Sequence, residues 1–377
     1  MKKPIMRSLN FALLLVVGLP MGANAAQSWQ RIVMTEYGDS NVLTLETVEG
    51  LPPPGPDKVR IRVEAASASF TDVLVRKGLY GEVDEEPPLV PGYDLVGVIE
   101  AVGEGVEPAL LGQRVADLSV WGAYTEYAIR PAKHLVPVPP GVDANEAVGL
   151  ILSYTTAYQM LHRVASMTAG DTILVHGASG AVGSALTELA NLEDIRVFGT
   201  ASSAKHDYVR QRGALPIDYR SEDFVSVIAQ QTDNKGVDAA FDAISLDNFK
   251  RSYEALGDNG ALVTYGLYSA SLAAEAGNIW SVASEFLAFQ WQQFLWDWFP
   301  SEERSVTFYS ITAMRAAHPD WFREDLSELM SLLADRKVSP RIWQVLPLSR
   351  ASEAHELIES GVVEGKVVLV PDALLLR

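Results

Sequence analysis

Residues 172–190, TILVHGASGAVGSALTELA, constrain the fold of this chain more than any other stretch. Ile173, Leu174 and Val175 form a short apolar run suited to a strand buried on both faces. Gly177, Gly180 and Gly183 follow at the spacing of a strand that turns tightly into a helix, and Ala185, Leu186, Leu189 and Ala190 then recur at helical period. Glycines let a pyrophosphate approach the backbone, and amides at a helix start favour its negative charge. Glycines of this spacing also punctuate ordinary turns, so the flanking runs carry the reading. A second apolar run at 195–198 lies where a βαβ crossover needs it. The stretch therefore predicts a dinucleotide-binding turn, with Gly177, Gly180, Ala181, Val182 and Gly183 against the phosphates.

At 377 residues the chain is long enough for two domains. Its formal charge of −18 argues against nucleic acid or an anionic membrane surface as partner of the body of the protein. Any anionic ligand must sit in a local pocket of positive potential. No cysteine is present, which removes disulfides, thiolate nucleophiles and cysteine-ligated metal sites.

The first residues read differently. Lys2, Lys3 and Arg7 precede an apolar run at 11–19, and Ala23-Asn24-Ala25 supplies a small-residue cleavage pattern. Residues 1–26 are thus expected to be a secretory signal, cut after Ala25 or Ala26. Removing three positive charges would leave −18 − 3 = −21. The other reading is a misassigned start, with Met21 as the true one. The first places the protein in the periplasm or outside the cell, the second in the cytoplasm.

Short strands are expected at 29–35 and 43–48, and 59–66 alternates apolar with charged residues as a half-buried strand does. The glycine-rich stretch 89–105 suits a twisted, turn-rich β region, with more strands at 115–118 and 123–129. From Ala144 the texture changes to helices alternating with apolar runs: helices at 144–164 and 205–212, strands at 237–244 and 261–266. Such alternation means a doubly wound parallel sheet covered on both faces. After a helix at 349–360, the run KVVLV at 366–370 returns to strand texture and could rejoin the N-terminal unit.

Residues 279–299 hold tryptophans at 280, 291, 296 and 298, with Leu287, Trp291, Phe294, Leu295 and Trp298 on one helical face. Aromatic belts favour membrane interfaces, yet the segment has no Lys or Arg and carries Glu285 and Asp297. Burial against the other domain, a second subunit or a substrate pocket stands beside membrane contact.

Six ordered segments, VMTEYG (33–38), SFTDVLVRKGLY (69–80), VPGYDLVGVIEAVGEGV (90–106), YTTAYQML (154–161), VHGASGAVG (175–183) and DYRSEDF (218–224), make the chain resemble the medium-chain dehydrogenase/reductase superfamily. Within it, the chain is similar to the zinc-independent quinone oxidoreductases. The aromatic segment also resembles the vesicle amine transport protein branch. The resemblance implies an α/β fold in which a Rossmann domain, at 151–305, is inserted into a GroES-like β-rich catalytic domain formed by 28–150 and 306–377. It also implies a ligand cleft at their junction and, by family habit, a homodimer.

Zinc members of the superfamily bind catalytic zinc through a cysteine and a Gly-His-Glu segment; here the matching segment is Gly92-Tyr93-Asp94, so no metal is expected. After the run 195–198 no acid appears until Asp207, whereas Ser202 and Lys205 can donate to and neutralise a 2′-phosphate. By similarity Ser202, Lys205 and Tyr219 contact that phosphate, Thr156 lies near the nicotinamide, and Tyr265 and Gly266 close its side. The expected cofactor is NADPH. Tyr80 matches a cleft tyrosine, either a proton donor or a pocket wall. Ser69 replaces the family's asparagine, which puts its contact to nicotinamide or substrate in question, and Asp72 is retained. The expected activity is hydride transfer from NADPH to a quinone or α,β-unsaturated carbonyl compound. The alternative is a non-catalytic dinucleotide-binding or membrane-associated protein of the same fold.

Overall fold

The computed structural model describes residues 27–266, 268 and 304–375. The signal-like segment 1–26 and the tryptophan-rich segment 279–299 lie outside the described residues.

The N-terminal third is β-rich. Strands β1 (Ser28–Met34) and β2 (Leu43–Glu49) pair antiparallel. In β3 (Lys58–Ala68) the alternating pattern does what it promised: Val59, Ile61 and Val63 are buried while Arg60 and Arg62 reach toward water. β3 pairs with β4 (Leu95–Val102) and β6 (Tyr127–Pro131), and β4 continues to β5 (Arg114–Asp117) and β7 (Val136–Pro137). β6 starts later than the apolar run at 123 suggests, because residues 123–126 lead into it as an irregular segment.

A helical stretch from Ala144 to Val164 follows. Its backbone alternates between α and π geometry, with π turns at Leu150–Tyr154 and Gln159–Val164. Next come β8 (Thr172–Val175), β9 (Arg196–Ala201), β10 (Leu215–Asp218), β11 (Val237–Asp242), β12 (Leu256–Thr264) and β13 (Ser305–Phe308). They make one all-parallel sheet in the order β10-β9-β8-β11-β12-β13. Strand order reverses between β8 and β11, and such a switch point opens a crevice at the carboxyl ends of the strands. Ile173, Leu174, Val175, Val197 and Phe198 are buried, as strands covered on both faces require.

The chain then returns. β14 (Ile342–Pro347) runs parallel to β15 (Lys366–Val370), and β15 pairs antiparallel with β3, Val367 opposite Ala68. The C-terminal segment thus completes the sheet begun by the N-terminal third, as a Rossmann unit inserted in a GroES-like β domain demands. The helix Ala351–Glu359 is tied to the helix Phe70–Arg76 by the buried Arg76 guanidinium, whose two terminal nitrogens reach Glu359 at 2.7 and 3.1 Å.

Candidate functional site

The glycine-rich turn sits at the switch point. Gly177 takes φ +63°, a conformation L side chains rarely adopt. Gly180 is the N-cap of the helix Ala181–Leu192 and has no side chain to satisfy the first amides. The N–H groups of Ala181, Val182 and Gly183 therefore offer an anion site. A Cβ on Gly183 would lie 2.3 Å from the Gly177 carbonyl oxygen and 2.7 Å from Ala178 Cα, so the helix can approach the turn only with glycine there. These features fit a dinucleotide pyrophosphate.

A buried chain of hydrogen bonds holds the turn from below. The Gly177 amide donates to Thr200 Oγ1 at 3.3 Å, and Thr200 Oγ1 lies 3.1 Å from His176 Nδ1. On the other side of the ring, His176 Nε2 is 2.9 Å from Ser252 Oγ, which donates to Asp242 Oδ2 at 2.6 Å. With the serine hydrogen directed at Asp242, Nε2 must carry the imidazole hydrogen and Nδ1 must accept from Thr200. Burial holds His176 below its ordinary range, in the neutral form this order requires. Asp242 also receives the amide of Ile244 and the Asn248 side chain, and its carbonyl accepts from the Tyr265 amide at 3.1 Å. Tyr265 and Gly266 thus follow β12 beside the end of β11, with burial pushing the Tyr265 phenol well up.

At the other end of the turn, Ser202 opens the short helix Ser203–Lys205. The Lys205 ammonium donates to the carbonyls of Gly361 (2.7 Å) and Val363 (2.9 Å), which lie between the C-terminal helix and β15. Burial lowers its basicity, opposed by Glu364. Tyr219 is exposed, with the Arg220 guanidinium 5.6 Å from its ring centre. The same C-terminal loop touches the turn itself: the Gly365 amide donates to the Ser179 carbonyl at 3.1 Å. The next residue, Lys366, is buried and reaches Ser153 Oγ at 3.3 Å, in the field of Asp94 and Asp72.

Tyr93 and Tyr309 are buried in the main hydrophobic core, and Tyr80 and Tyr265 pack against that core. The Tyr80 and Tyr93 rings meet edge to face, and their hydroxyls are 2.7 Å apart. Tyr80 also donates to Glu82 Oε2 at 2.6 Å. Tyr309 donates to Gln159 Oε1 at 2.7 Å and is hydrogen-bonded with buried Thr156, which stands between the two π turns. Ser69 and Asp72 bond to each other at a helix start. They form a capping box on the helix Phe70–Arg76: Asp72 Oδ2 accepts from the Ser69 amide (2.8 Å) and hydroxyl (2.6 Å), and the Asp72 amide closes the box at 3.4 Å. Asp72 also meets the Tyr124 hydroxyl.

Residues 55–140 match the alcohol dehydrogenase GroES-like domain, and residues 213–369 match a zinc-binding dehydrogenase domain. The VAT-1 homolog of Rattus norvegicus, a synaptic vesicle membrane protein, is 32% identical over 356 residues, spanning 90% of this chain and 83% of the relative. A probable quinone oxidoreductase of Schizosaccharomyces pombe is 30% identical over 340 residues, spanning 90% of this chain and 96% of its own. The chain belongs to the medium-chain dehydrogenase/reductase superfamily. Within that superfamily it is quinone oxidoreductase-like, with VAT-1 resemblance. The Escherichia coli quinone oxidoreductase solved with NADPH superposes with a TM-score of 0.76 at 25% identity, covering 91% of this chain and all of that one.

Set against this medium-chain dehydrogenase/reductase frame, the contacts of Tyr93, Glu82, Gly365 and Lys366 are the ones that reading along the chain missed. The Glu82–Ser310, Gly365–Ser179 and Lys366–Ser153 contacts join segments far apart in sequence. Tyr93 and Lys366 stood in segments that drew attention for other reasons, Gly92-Tyr93-Asp94 and KVVLV.

Proposed function

We propose that this protein is an NADPH-dependent, zinc-independent reductase that delivers hydride to a quinone or an α,β-unsaturated carbonyl compound. The observation that carries this reading is the bare helix start at Gly180, held against Gly177 at the switch point of the parallel sheet. When bound, the dinucleotide supplies hydride from its nicotinamide ring.

The amides of Ala181, Val182 and Gly183 hold the pyrophosphate. Ser202 and Lys205 receive the 2′-phosphate: Lys205 has three N–H bonds, and the carbonyls of Gly361 and Val363 take two of them. Tyr219, with Arg220 at its ring, borders the same end. Thr156, Tyr265 and Gly266 bound the nicotinamide side, with Tyr309 hydrogen-bonded to Thr156. Tyr80 presents a hydroxyl for the oxygen that becomes negative as hydride adds, and a donor at such a position lowers the barrier by a few kcal/mol.

The donor set does not suit zinc. The chain has no cysteine, Ser69 is committed to Asp72, and the Tyr93 hydroxyl to Tyr80. Asp94 is held by the Ser67 amide (3.1 Å) and hydroxyl (2.5 Å), with burial pushing its carboxyl up. Among the described residues no three His, Asp or Glu side chains gather as a metal would need.

The test is NADPH oxidation across a panel of quinones and enones, with NADPH binding followed by fluorescence. A folded protein that binds no dinucleotide would sink the reading. A second reading, membrane association with or without catalysis, is favoured by the VAT-1 relatives and the tryptophan-rich segment. No helix among the described residues is long and apolar enough to cross a membrane. Co-sedimentation with liposomes, with and without residues 279–299, tests that reading.

A further inference from the structure

Glu82 belongs to none of the motifs above, yet three hydroxyls converge on its carboxylate. Tyr80 donates to Oε2, Ser310 donates to Oε1 at 2.5 Å, and Thr312 donates to Oε2. Ser310 is itself fixed as the N-cap of the helix Ile311–Ala317, accepting the Ala313 amide at 3.2 Å. An exposed side chain in the loop after Tyr80 is thus pinned by residues that follow β13, more than 200 residues on in the chain.

The donor count orders the hydrogens. Tyr80 has one hydroxyl hydrogen, and it goes to Glu82; the 2.7 Å contact with Tyr93 is then a donation from Tyr93 to the Tyr80 oxygen. The line therefore runs from buried Tyr93, through partly buried Tyr80, to a carboxylate in water. Besides Tyr80 and Glu82, the charged groups acting on Tyr93 are Arg315 and Asp72.

We propose that Glu82 is the proton-loading residue of the site: it takes a proton from solvent and passes it to Tyr80 as Tyr80 gives its own to the reduced substrate. This rests on the reductase reading above and names the source of its proton. The balance closes. Hydride brings two electrons and one hydrogen to the substrate. Once Glu82 takes a proton from solvent, its O–H turns to the Tyr80 oxygen and frees the single Tyr80 hydrogen to face the substrate. The Tyr80 O–H bond then breaks as the substrate O–H bond forms, the Glu82 carboxylic O–H bond breaks as the Tyr80 O–H bond re-forms, and the carboxylate left behind accepts again from Tyr80. Tyr93 acts as a positioning residue, donating to the Tyr80 oxygen while its charge develops. Burial pushes the Tyr80 phenol far above its ordinary value, so it cannot rest as a tyrosinate and needs an acid in contact.

Glu82→Gln keeps the shape and an acceptor oxygen but carries no proton. Its kcat should fall about 100-fold, in the range of general acid catalysis, with NADPH affinity and thermal stability unchanged. In Glu82→Ala, which vacates the place of the carboxylate, formate or acetate should restore at least tenfold of the loss in a saturable way. In the ligand-free protein, difference infrared spectra should show a carboxylate stretch that is absent in Glu82→Gln and shifted in Tyr80→Phe. Tyr93→Phe should lower kcat without a gain from formate. A Glu82→Gln enzyme within threefold of wild type, or an infrared band indifferent to Tyr80, overturns the relay alone; so does a lost rate that small acids do not restore. A wild type inert toward every quinone and enone overturns the reductase reading, and the relay with it.

Discussion

Asp72→Asn separates a structural carboxylate from a catalytic one. Asp72 is 1% exposed, and burial pushes its carboxyl up to about 6 from 3.8. The Ser69 hydroxyl pulls the other way, and Asp94 adds to the rise. The folded protein thus holds this proton more tightly than the unfolded chain does. Stabilisation from the protonated form is complete below about pH 3.8 and is lost as pH rises through about 6. A shift of roughly two units at 1.36 kcal/mol each makes the charged carboxylate cost about 3 kcal/mol at neutral pH. The amide stays neutral, and its oxygen can accept the Ser69 amide and hydroxyl as Asp72 Oδ2 does. Its NH2 falls toward the Tyr124 hydroxyl, which Asp72 also meets and which lies 3.2 Å from His355 Nε2. Urea unfolding from pH 4 to pH 8 reads the effect. The variant should gain about 2–3 kcal/mol at pH 7.5, and the gain should vanish near pH 4. A variant less stable than wild type at pH 7.5, or a difference that does not change with pH, would refute the reasoning. Reductase activity should survive, since Asp72 faces its own helix cap.

Gly183→Ala gains about 1 kcal/mol of helix propensity. The new Cβ would meet the Gly177 carbonyl at 2.3 Å, backbone against backbone, and overpacking of that kind costs about 1–3 kcal/mol. Melting temperature and dinucleotide affinity should both fall, while Gly55→Ala, whose Cβ meets nothing within 4 Å, should change neither. Lys205→Met should lower the preference for NADPH over NADH about tenfold, since one charge-assisted hydrogen bond is worth about 1.5–3 kcal/mol; comparative binding titrations of the two dinucleotides check it. Thr200→Val leaves the Gly177 amide without its acceptor and His176 Nδ1 without its donor. It should cost about 1–3 kcal/mol in urea unfolding and weaken dinucleotide binding, and unchanged values of both would count against the buried chain.

What could be read along the chain was what the backbone decides locally. The β8–turn–helix unit declares itself because Gly177, Gly180 and Gly183 are each needed within a few residues of one another. The return of β15 to the N-terminal unit was foreseeable from the strand texture of KVVLV, but its partners β14 and β3 were not. The cap at Ser69 and Asp72 was legible too: S-x-x-D before the apolar residues Val73 and Val75 is a helix-start pattern, and the structure uses it as one. The helix Pro319–Ala334 is legible in the same way, with proline at its start and Phe322, Leu326, Leu329, Met330 and Leu333 at helical spacing. β10 was harder, since four residues containing a proline carry little periodicity.

The chemistry of the cleft lies in another class of contact. Lys205 and Gly361 are 156 residues apart, Tyr80 and Tyr93 only 13, and Glu82 and Ser310 are 228 apart. No local pattern encodes a tyrosine hydroxyl between a phenol and a carboxylate, because Tyr80, Glu82 and Tyr93 stand in irregular chain with no helical or strand period to align them. The distant contact of Lys205 has a physical consequence. An ammonium that joins the dinucleotide domain to two carbonyls of the C-terminal loop must keep those bonds while it takes a phosphate, or exchange them for it. In the first case NADPH binding tightens the contact between loop and domain; in the second it loosens it. Hydrogen exchange at Val362 and Val363, measured with and without NADPH, distinguishes the two. The three donors of the ammonium favour the first: protection of these amides should rise with NADPH and rise less with NADH, and protection that falls with NADPH would mean the carbonyls are released.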